Sequence, residues 1–292
     1  MNLIAVDWGT SSLRVARLDA AGHAIEEREF PRGILTVPAG GFPQVFEEAC
    51  GEWMKPRDSL ALICGMAGSQ QGWREARYAP CPAGFAEVAS QLTWIEPDRI
   101  AIVPGLSCET DGVPDVMRGE ETKALGVLQL LGTPDARIVM PGTHCKWARA
   151  EDGRIESFAT FMTGEFYALL RQHSILARTM PQHDGGLDEQ AFLHGVDHAM
   201  RTGNLLHAAF SARTQALFER IPPDARPSYL SGLLIGEELR TQELHEAREL
   251  VLVGAEKLTQ RYALALRHLG AGFKAMGQEA TWLGLHAIKE SL

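Results

Sequence analysis

The chain has 292 residues, 45% hydrophobic and 22% charged, the balance of an ordinary globular protein long enough for two medium domains. Asp and Glu (37) outnumber Lys and Arg (28), giving a formal net charge of −9, which argues against nucleic acid or an anionic membrane as the main partner. No apolar run approaches the roughly 18 residues that cross a bilayer, and the N-terminus enters a strand without a basic leader, so a cytoplasmic protein is expected.

The opening stretch, Ile4 to Leu18, reads as a buried strand, a polar turn and a return strand. Its Asp7-Trp8-Gly9-Thr10-Ser11-Ser12 segment brings backbone N–H groups and short hydroxyls to one point beside a carboxylate. That chemistry suits a phosphate chain with a divalent cation, although on these residues alone a plain hairpin is the favoured reading. Apolar residues at helical spacing predict a helix from Phe42 to Met54, ending before Pro56. Leu60 to Cys64 is a buried strand that empties into Gly65 to Trp73. This loop holds Gly68 and Ser69 and reads as a ligand floor or as a simple strand-to-helix turn.

Arg99 to Leu106 forms the next strand and turn, and Ser107 to Asp115 reads as a loop. A helix is expected over 120–131, with Glu120 and Glu121 in its first turn and Gly132 and Pro134 beyond its end. The opening pattern then recurs. Arg137 to Met140 is a strand, Pro141 to Lys146 a polar turn and Trp147 to Ala150 a return strand, followed by a strand over 155–163 and a helix over 165–176. The echo suggests two similar halves, 1–133 and 134–292, meeting near Gly132 to Asp135. Residues 187–220 read as helical, with Pro222, Pro223 and Pro227 closing them. A helix around 231–240, a strand–Gly254–helix unit and a closing helix over 277–288 complete the chain. The five cysteines lack Cys-x-x-Cys spacing and the ten histidines lack metal-ligand spacing, so free thiols are expected and no zinc framework.

In order, the Asp7-x-Gly9-Thr10 hairpin, the acidic helix start, the Gly142-Thr143 hairpin and strand–Gly254–helix resemble the sugar kinase, Hsp70 and actin superfamily. At closer range five motifs are similar to the 2-dehydro-3-deoxygalactonokinase family. They are Asp7 to Arg14, Cys64 to Ser69, Met117 to Thr122, Pro141 to Trp147 and Phe161 to Glu165. The resemblance implies an α/β fold of two ribonuclease H-like lobes, actin/hexokinase-like, with a nucleotide cleft between them. It also implies ATP-dependent phosphorylation of the 6-hydroxyl of 2-dehydro-3-deoxy-D-galactonate in sugar-acid breakdown. ATP and Mg²⁺ are the implied cofactors, with a small sugar acid as partner and self-association left open.

Carried over by position, the resemblance implies that Asp7 organises Mg²⁺ through water, and that Gly9, Thr10 and Ser11 hold the β- and γ-phosphates. Gly142 and Thr143 would take the phosphates from the other lobe, and Gly254 and Ala255, with Gly232, would let purine and ribose lie against backbone. Glu120 or Glu121, with Glu120 first, stands where the superfamily usually carries an Asp base. Arg14, Arg118, His144 and Lys146 are candidates for the substrate carboxylate, and Gly68, Ser69, Thr163 and Glu165 complete the substrate set. For His144 and Lys146 a solvated hairpin face is the alternative. Trp8, Trp73 and Trp147 flank the substrate or fill the core, and Cys145 reads as inert packing. Other readings are a hexose or 2-keto-3-deoxygluconate kinase of the same fold, a phosphohydrolase, and a non-catalytic sugar or nucleotide sensor.

Overall fold

In the computed structural model, which describes residues 2–183, 185–244 and 249–292, the chain opens with β1 (Asn2–Trp8) and β2 (Leu13–Leu18). They pair antiparallel, with Asp7 opposite Arg14 and Trp8 opposite Leu13. β3 (Ala24–Phe30) follows, then α1 (Phe42–Cys50) with Pro43 in its first turn, running on as a 3-10 turn over Gly51–Met54. β4 (Ser59–Gly65) lies parallel to β1. Leu3 to Val6 and Leu60 to Cys64 are buried without alternation, as expected of central strands covered on both faces.

Beyond β4 come β5 (Tyr78–Pro80), α2 (Phe85–Ala89), β6 (Thr93–Glu96), β7 (Ile100–Ile102), β8 (Gly105–Thr110) and β9 (Val113–Met117). The stretch from Ser107 to Asp115 is therefore a hairpin and not a loop. β8 and β9 pair antiparallel from Leu106–Met117 to Thr110–Val113, around a turn at Asp111 and Gly112 with positive φ. The acidic residues that suggested a loop lie towards the turn end of this hairpin. α3 occupies Glu120–Leu131, the span expected from sequence, and stops at Gly132 in the left-handed region.

The repeat follows as β10 (Ala136–Met140), β11 (Cys145–Glu151), β12 (Arg154–Phe161) and α4 (Thr163–His173). Then come α5 (Glu189–Thr202), α6 (Leu205–Leu217), α7 (Arg226–Arg240), β13 (Leu250–Val253), α8 (Glu256–His268), β14 (Phe273–Met276) and α9 (Glu279–Glu290). Pro227 opens α7 instead of closing the helices before it: it sits in the first turn, where the missing N–H costs nothing.

One sheet has the order β3-β2-β1-β4-β7-β6, a second β12-β11-β10-β13-β14 and a small third β5-β8-β9. The first five strands of one sheet and all five of the other follow the same plan: a three-strand meander whose first strand neighbours a later one. The chain divides into two compact units, Met1–Ile138 with Trp147–Ala159 and Met276–Leu292, and Val139–Lys146 with Thr160–Ala275. In the first, Ile4, Val6 and Trp8 pack with Phe42, Phe46, Ile63 and Trp73. In the second, Leu230, Leu233 and Leu234 of α7 pack with Ala191 and Ala199 of α5 and Ala208 and Ala212 of α6.

The contact that fixes α3 is unusually close. A Cβ on Gly126 would lie 1.7 Å from the Ala280 carbonyl oxygen of α9, and one on Gly284 would lie 1.9 Å from that of Thr122. Two glycines facing opposite helices let the backbones touch, so the Ala280-Thr281-x-x-Gly284 stretch of the last helix sets the position of the helix that begins with Glu120. Gly126→Ala should therefore cost about 2–3 kcal/mol through overpacking against backbone, read as a lower urea midpoint; an unchanged midpoint would mean the helices part freely.

Candidate active site

Each repeat places a short turn between its first two strands, and the two turns are built alike. In the first, the Gly9 amide closes the turn on the Ser12 carbonyl (2.9 Å). The Gly9 and Thr10 carbonyls accept the Ile34 and Leu35 amides at 3.0 and 3.4 Å. In the second, the Thr143 carbonyl accepts the Glu165 amide of α4 at 3.0 Å, and a Cβ on Gly164 would lie 2.5 Å from the Gly142 carbonyl. The segment behind thus bonds two carbonyls of the first turn and one of the second. Among the described residues the amides of Thr10, Ser11, Gly142 and Thr143 donate to no protein acceptor, and Thr10, Ser11 and Thr143 are exposed. Such turns are ready-made anion sites.

Asp7 stands at the end of β1, 24% exposed, with Oδ2 bonded to Arg14 Nη2 at 2.5 Å. The Arg14 guanidinium lies 5.3 Å from the centre of the Trp282 ring of α9. Arg14 is thereby committed to Asp7 and a tryptophan face. Beside Asp7, β4 ends at Gly65 (φ +90°), and α3 is entered through Gly119 (φ +102°), both in the left-handed region. A Cβ on Gly65 would lie 3.5 Å from Asp7 Oδ1, and one on Gly119 would lie 3.0 Å from Gly65 Cα. Three elements therefore meet here: the end of β1, the end of β4 and the start of α3.

The two acids of α3 have different surroundings. Glu121 is fully buried, its carboxyl accepting the Gly119 amide (2.6 Å) and the Thr122 hydroxyl (3.1 Å). Burial, and secondarily the Glu120 charge, push its pKa up to about 8. Glu120 is half-buried and accepts the Arg118 amide at 3.0 Å. The buried Cys64 thiol nearby is pushed well up by burial and then by Asp7 and Glu121.

Arg118 donates to the Ala76 carbonyl (2.7 Å) and stacks 4.2 Å from the Tyr78 ring centre, with Gly68 directly against it. Its Nε and Nη1 are buried without a partner. Ser69 turns its hydroxyl back to the Met66 carbonyl at 2.8 Å. Trp8 is buried against Phe42 and Trp73, so these two rings serve the core.

In the second unit His144 Nε2 meets Glu165 Oε2 at 2.5 Å on the surface, and Lys146 Nζ donates to Thr160 Oγ1 at 2.7 Å in the interior. Thr163 gives its hydroxyl to Glu238. Burial pushes the Cys145 thiol well up, which fits inert packing. A Cβ on Gly254 would lie 3.3 Å from the Pro141 carbonyl, so the β13–α8 link passes beside the Gly142 turn and leaves Ala255 exposed at the start of α8.

A cavity of about 300 Å³ adjoins this turn, lined by Gly142, Ser231, Leu234, Lys257, Arg261 and Tyr262 among others. Gly232 faces away: a Cβ there would lie 1.9 Å from the Phe192 carbonyl of α5, and helix packing accounts for the glycine. The cavity-facing neighbour is Ser231. Sequence reasoning missed Ser231, Lys257, Arg261, Tyr262 and Glu238. The one available signal was the polar residues interrupting the apolar faces of the helices on either side of Gly254.

The comparisons with known proteins agree. The family model described as 2-keto-3-deoxy-galactonokinase matches residues 7–288. A 2-dehydro-3-deoxygalactonokinase of Escherichia coli (strain K12) is 34% identical over 292 residues, covering 99% of this chain and 98% of the relative. A probable 2-dehydro-3-deoxygalactonokinase of Rhizobium meliloti (strain 1021) is 38% identical over 296 residues, covering 99% and 96%. The crystal structure of a candidate 2-dehydro-3-deoxygalactonokinase from Sinorhizobium meliloti superposes with a TM-score of 0.90 at 36% identity, covering 99% and 98%. More distant solved structures, at TM-scores of 0.51 to 0.54 and 12 to 14% identity, share the actin/hexokinase-like ATPase fold alone. The chain belongs to the 2-keto-3-deoxy-galactonokinase family.

Proposed function

We propose that this protein transfers the γ-phosphoryl group of ATP to the 6-hydroxyl of 2-dehydro-3-deoxy-D-galactonate. The observation that carries the reading is the pair of turns, each bonded through a carbonyl to the segment behind it, whose amides are free among the described residues, in a chain of this kinase family. Phosphoryl transfer asks for positioning and charge neutralisation more than for covalent help. Thr10 and Ser11 in one unit, and Gly142 and Thr143 in the other, offer N–H donors to phosphate oxygens. The cavity beside Gly142 offers apolar walls from Leu234 and Ile235, with Ser231, Lys257 and Arg261 at its polar side, for the nucleoside.

Asp7, a single, partly exposed carboxylate with Arg14 bonded to Oδ2 alone, would hold a hydrated Mg²⁺. Bound there, the cation supplies charge neutralisation to the phosphates. Arg14 holds the Asp7 carboxylate in orientation, and its own charge is spent on that task.

Glu120 is the proton acceptor for the attacking hydroxyl. Its neighbour Glu121 keeps its proton to about pH 8 and has its oxygens turned to Gly119 and Thr122, so it braces the helix start and accepts nothing from substrate. Two adjacent acids with divergent environments thus divide the work. For the substrate carboxylate, the groups proposed are His144, exposed on the second turn, and Arg118, whose Nε and Nη1 have no partner among the described residues.

Purified protein with ATP and Mg²⁺, offered a panel of sugar acids and neutral hexoses, should release ADP with 2-keto-3-deoxy sugar acids alone. Release with hexoses alone would sink this reading. Glu120→Gln should lower kcat by about 10²–10⁴-fold with little change in KM; undiminished turnover would remove Glu120 from the chemistry.

Glu121 also sets a pH dependence of stability. The folded chain holds this proton up to about 8, against 4.5 for an ordinary Glu, so between those values the unfolded state binds fewer protons and stability falls as pH rises. Glu121→Gln removes the titration. Relative to wild type, its stability should increase by on the order of 3 kcal/mol from pH 5 to pH 8, read from urea midpoints. Parallel curves for the two proteins would contradict the assignment.

A further inference from the structure

One buried acid of the second unit has no place in the chemistry above. Glu238, on α7, is only 3% exposed. Its Oε2 accepts the hydroxyl of Thr163 and, at 2.6 Å, that of Tyr262. The Cys145 thiol interacts with the same carboxylate and with the Tyr262 hydroxyl.

These partners stand on three different elements, and each bears on the phosphate turn or the cavity beside it. Cys145 opens β11, directly after the 142–144 turn. Thr163 opens α4, whose next two residues carry that turn: Gly164 lies against the Gly142 carbonyl, and the Glu165 amide donates to Thr143. Tyr262 comes from α8 and, with Thr163 and Gly142, lines the cavity. A carboxylate in the interior is costly unless its oxygens are satisfied, and apolar side chains of the same volume often stabilise a core better. What the acid supplies here is placement: a single group binds the strand after the turn, the helix under it and the opposite wall of the cavity.

We infer that Glu238 is a positioning residue for the nucleotide, holding the Gly142–Thr143 turn and the Tyr262 wall in the arrangement that receives phosphates and nucleoside together. This rests on the reading of the second unit as the nucleotide-binding part of a kinase. The role predicts a selective defect. Loss of the node should weaken the nucleotide more than the sugar acid, because Tyr262 and Gly142 line the cavity while Thr163 is the one arm also named for the substrate.

The test uses the whole protein and three variants, Glu238→Gln, Thr163→Val and Tyr262→Phe, with Val196→Ala, which loosens the packing of α5 on α7 and removes no hydrogen bond of the node, as a control for lost stability. ADP affinity is measured by calorimetry, and KM for ATP and for the sugar acid by steady-state kinetics. Glu238→Gln should weaken ADP and raise KM for ATP by about tenfold, the two single-arm variants by about threefold, with KM for the sugar acid unchanged in Glu238→Gln and Tyr262→Phe. Val196→Ala should bind ADP like wild type at a matched loss of Tm. Unchanged ADP affinity in both single-arm variants would overturn the inference, as would a parallel rise of both KM values or an equal loss in the control. If Glu238→Gln does not fold, the single-arm variants decide. A wild-type protein that binds ADP but phosphorylates no sugar acid refutes the proposed substrate, and the variants' ADP affinities still decide the role of Glu238. A wild-type protein that binds no ADP refutes both.

Discussion

Each hairpin turn of this protein gives its carbonyl oxygens to the segment packed behind it, and that constraint governs the rest of the site. A short turn has few polar groups, and a segment that consumes the acceptors leaves the donors facing outward. Ile34 and Leu35 do this for Gly9 and Thr10, and the start of α4 does it for Thr143 while Gly164 packs against the Gly142 carbonyl. The result is positive partial charge supplied by backbone amides at both turns. This matters in a chain of net charge −9, where an anionic ligand must be attracted locally and not by the field of the whole molecule.

The acidic helix start depends on packing far from it in sequence. Gly126 and Gly284 bring α3 and α9 into backbone contact, and Gly65 and Gly119 bring the end of β4 against the entry to α3. Between these contacts α3 has little freedom, so Glu120 and Glu121 take up separate positions, one half-buried and one fully enclosed. Neighbouring residues of the same type thereby acquire opposite properties. Burial holds the proton on Glu121, and the same burial removes it from contact with any substrate. The closing helix contributes through Trp282 as well, whose ring backs the Arg14 that orients Asp7.

Much of this was legible in the sequence where local chemistry dominates. The apolar runs of β1 and β4 are buried on both faces, and α3 has the span its caps imply, from the acids at its start to Gly132. The two strand–turn–strand units were visible because the pattern repeats, and the sheets bear it out in strand order. Reading failed where long-range pairing overrides composition. The acidic stretch over 107–115 forms a hairpin because β8 is paired on its other edge by β5, a partner no local window shows. Pro227 looks like a stop and is a start, since proline is compatible with the first turn of a helix as well as with its end.

The finer features of the site were hidden for a related reason. Gly232 and Ser231 are adjacent in sequence, yet one packs on α5 and the other faces the cavity, and only the rotation of α7 decides which. Glu238 looks like a surface acid near a helix end; its burial depends on α4 and α8 arriving with hydroxyls from Thr163 and Tyr262. Arg14 reads as one of four candidates for the substrate carboxylate, and only register shows that it stands opposite Asp7, to which Nη2 donates.

The central claim is that the free amides of the two turns hold the phosphates. Backbone amide NMR of isotope-labelled protein, titrated with ADP and Mg²⁺, tests it most directly. Thr10, Ser11, Gly142 and Thr143 should show the largest shifts and saturate together. Saturable binding with those amides unmoved would contradict the account.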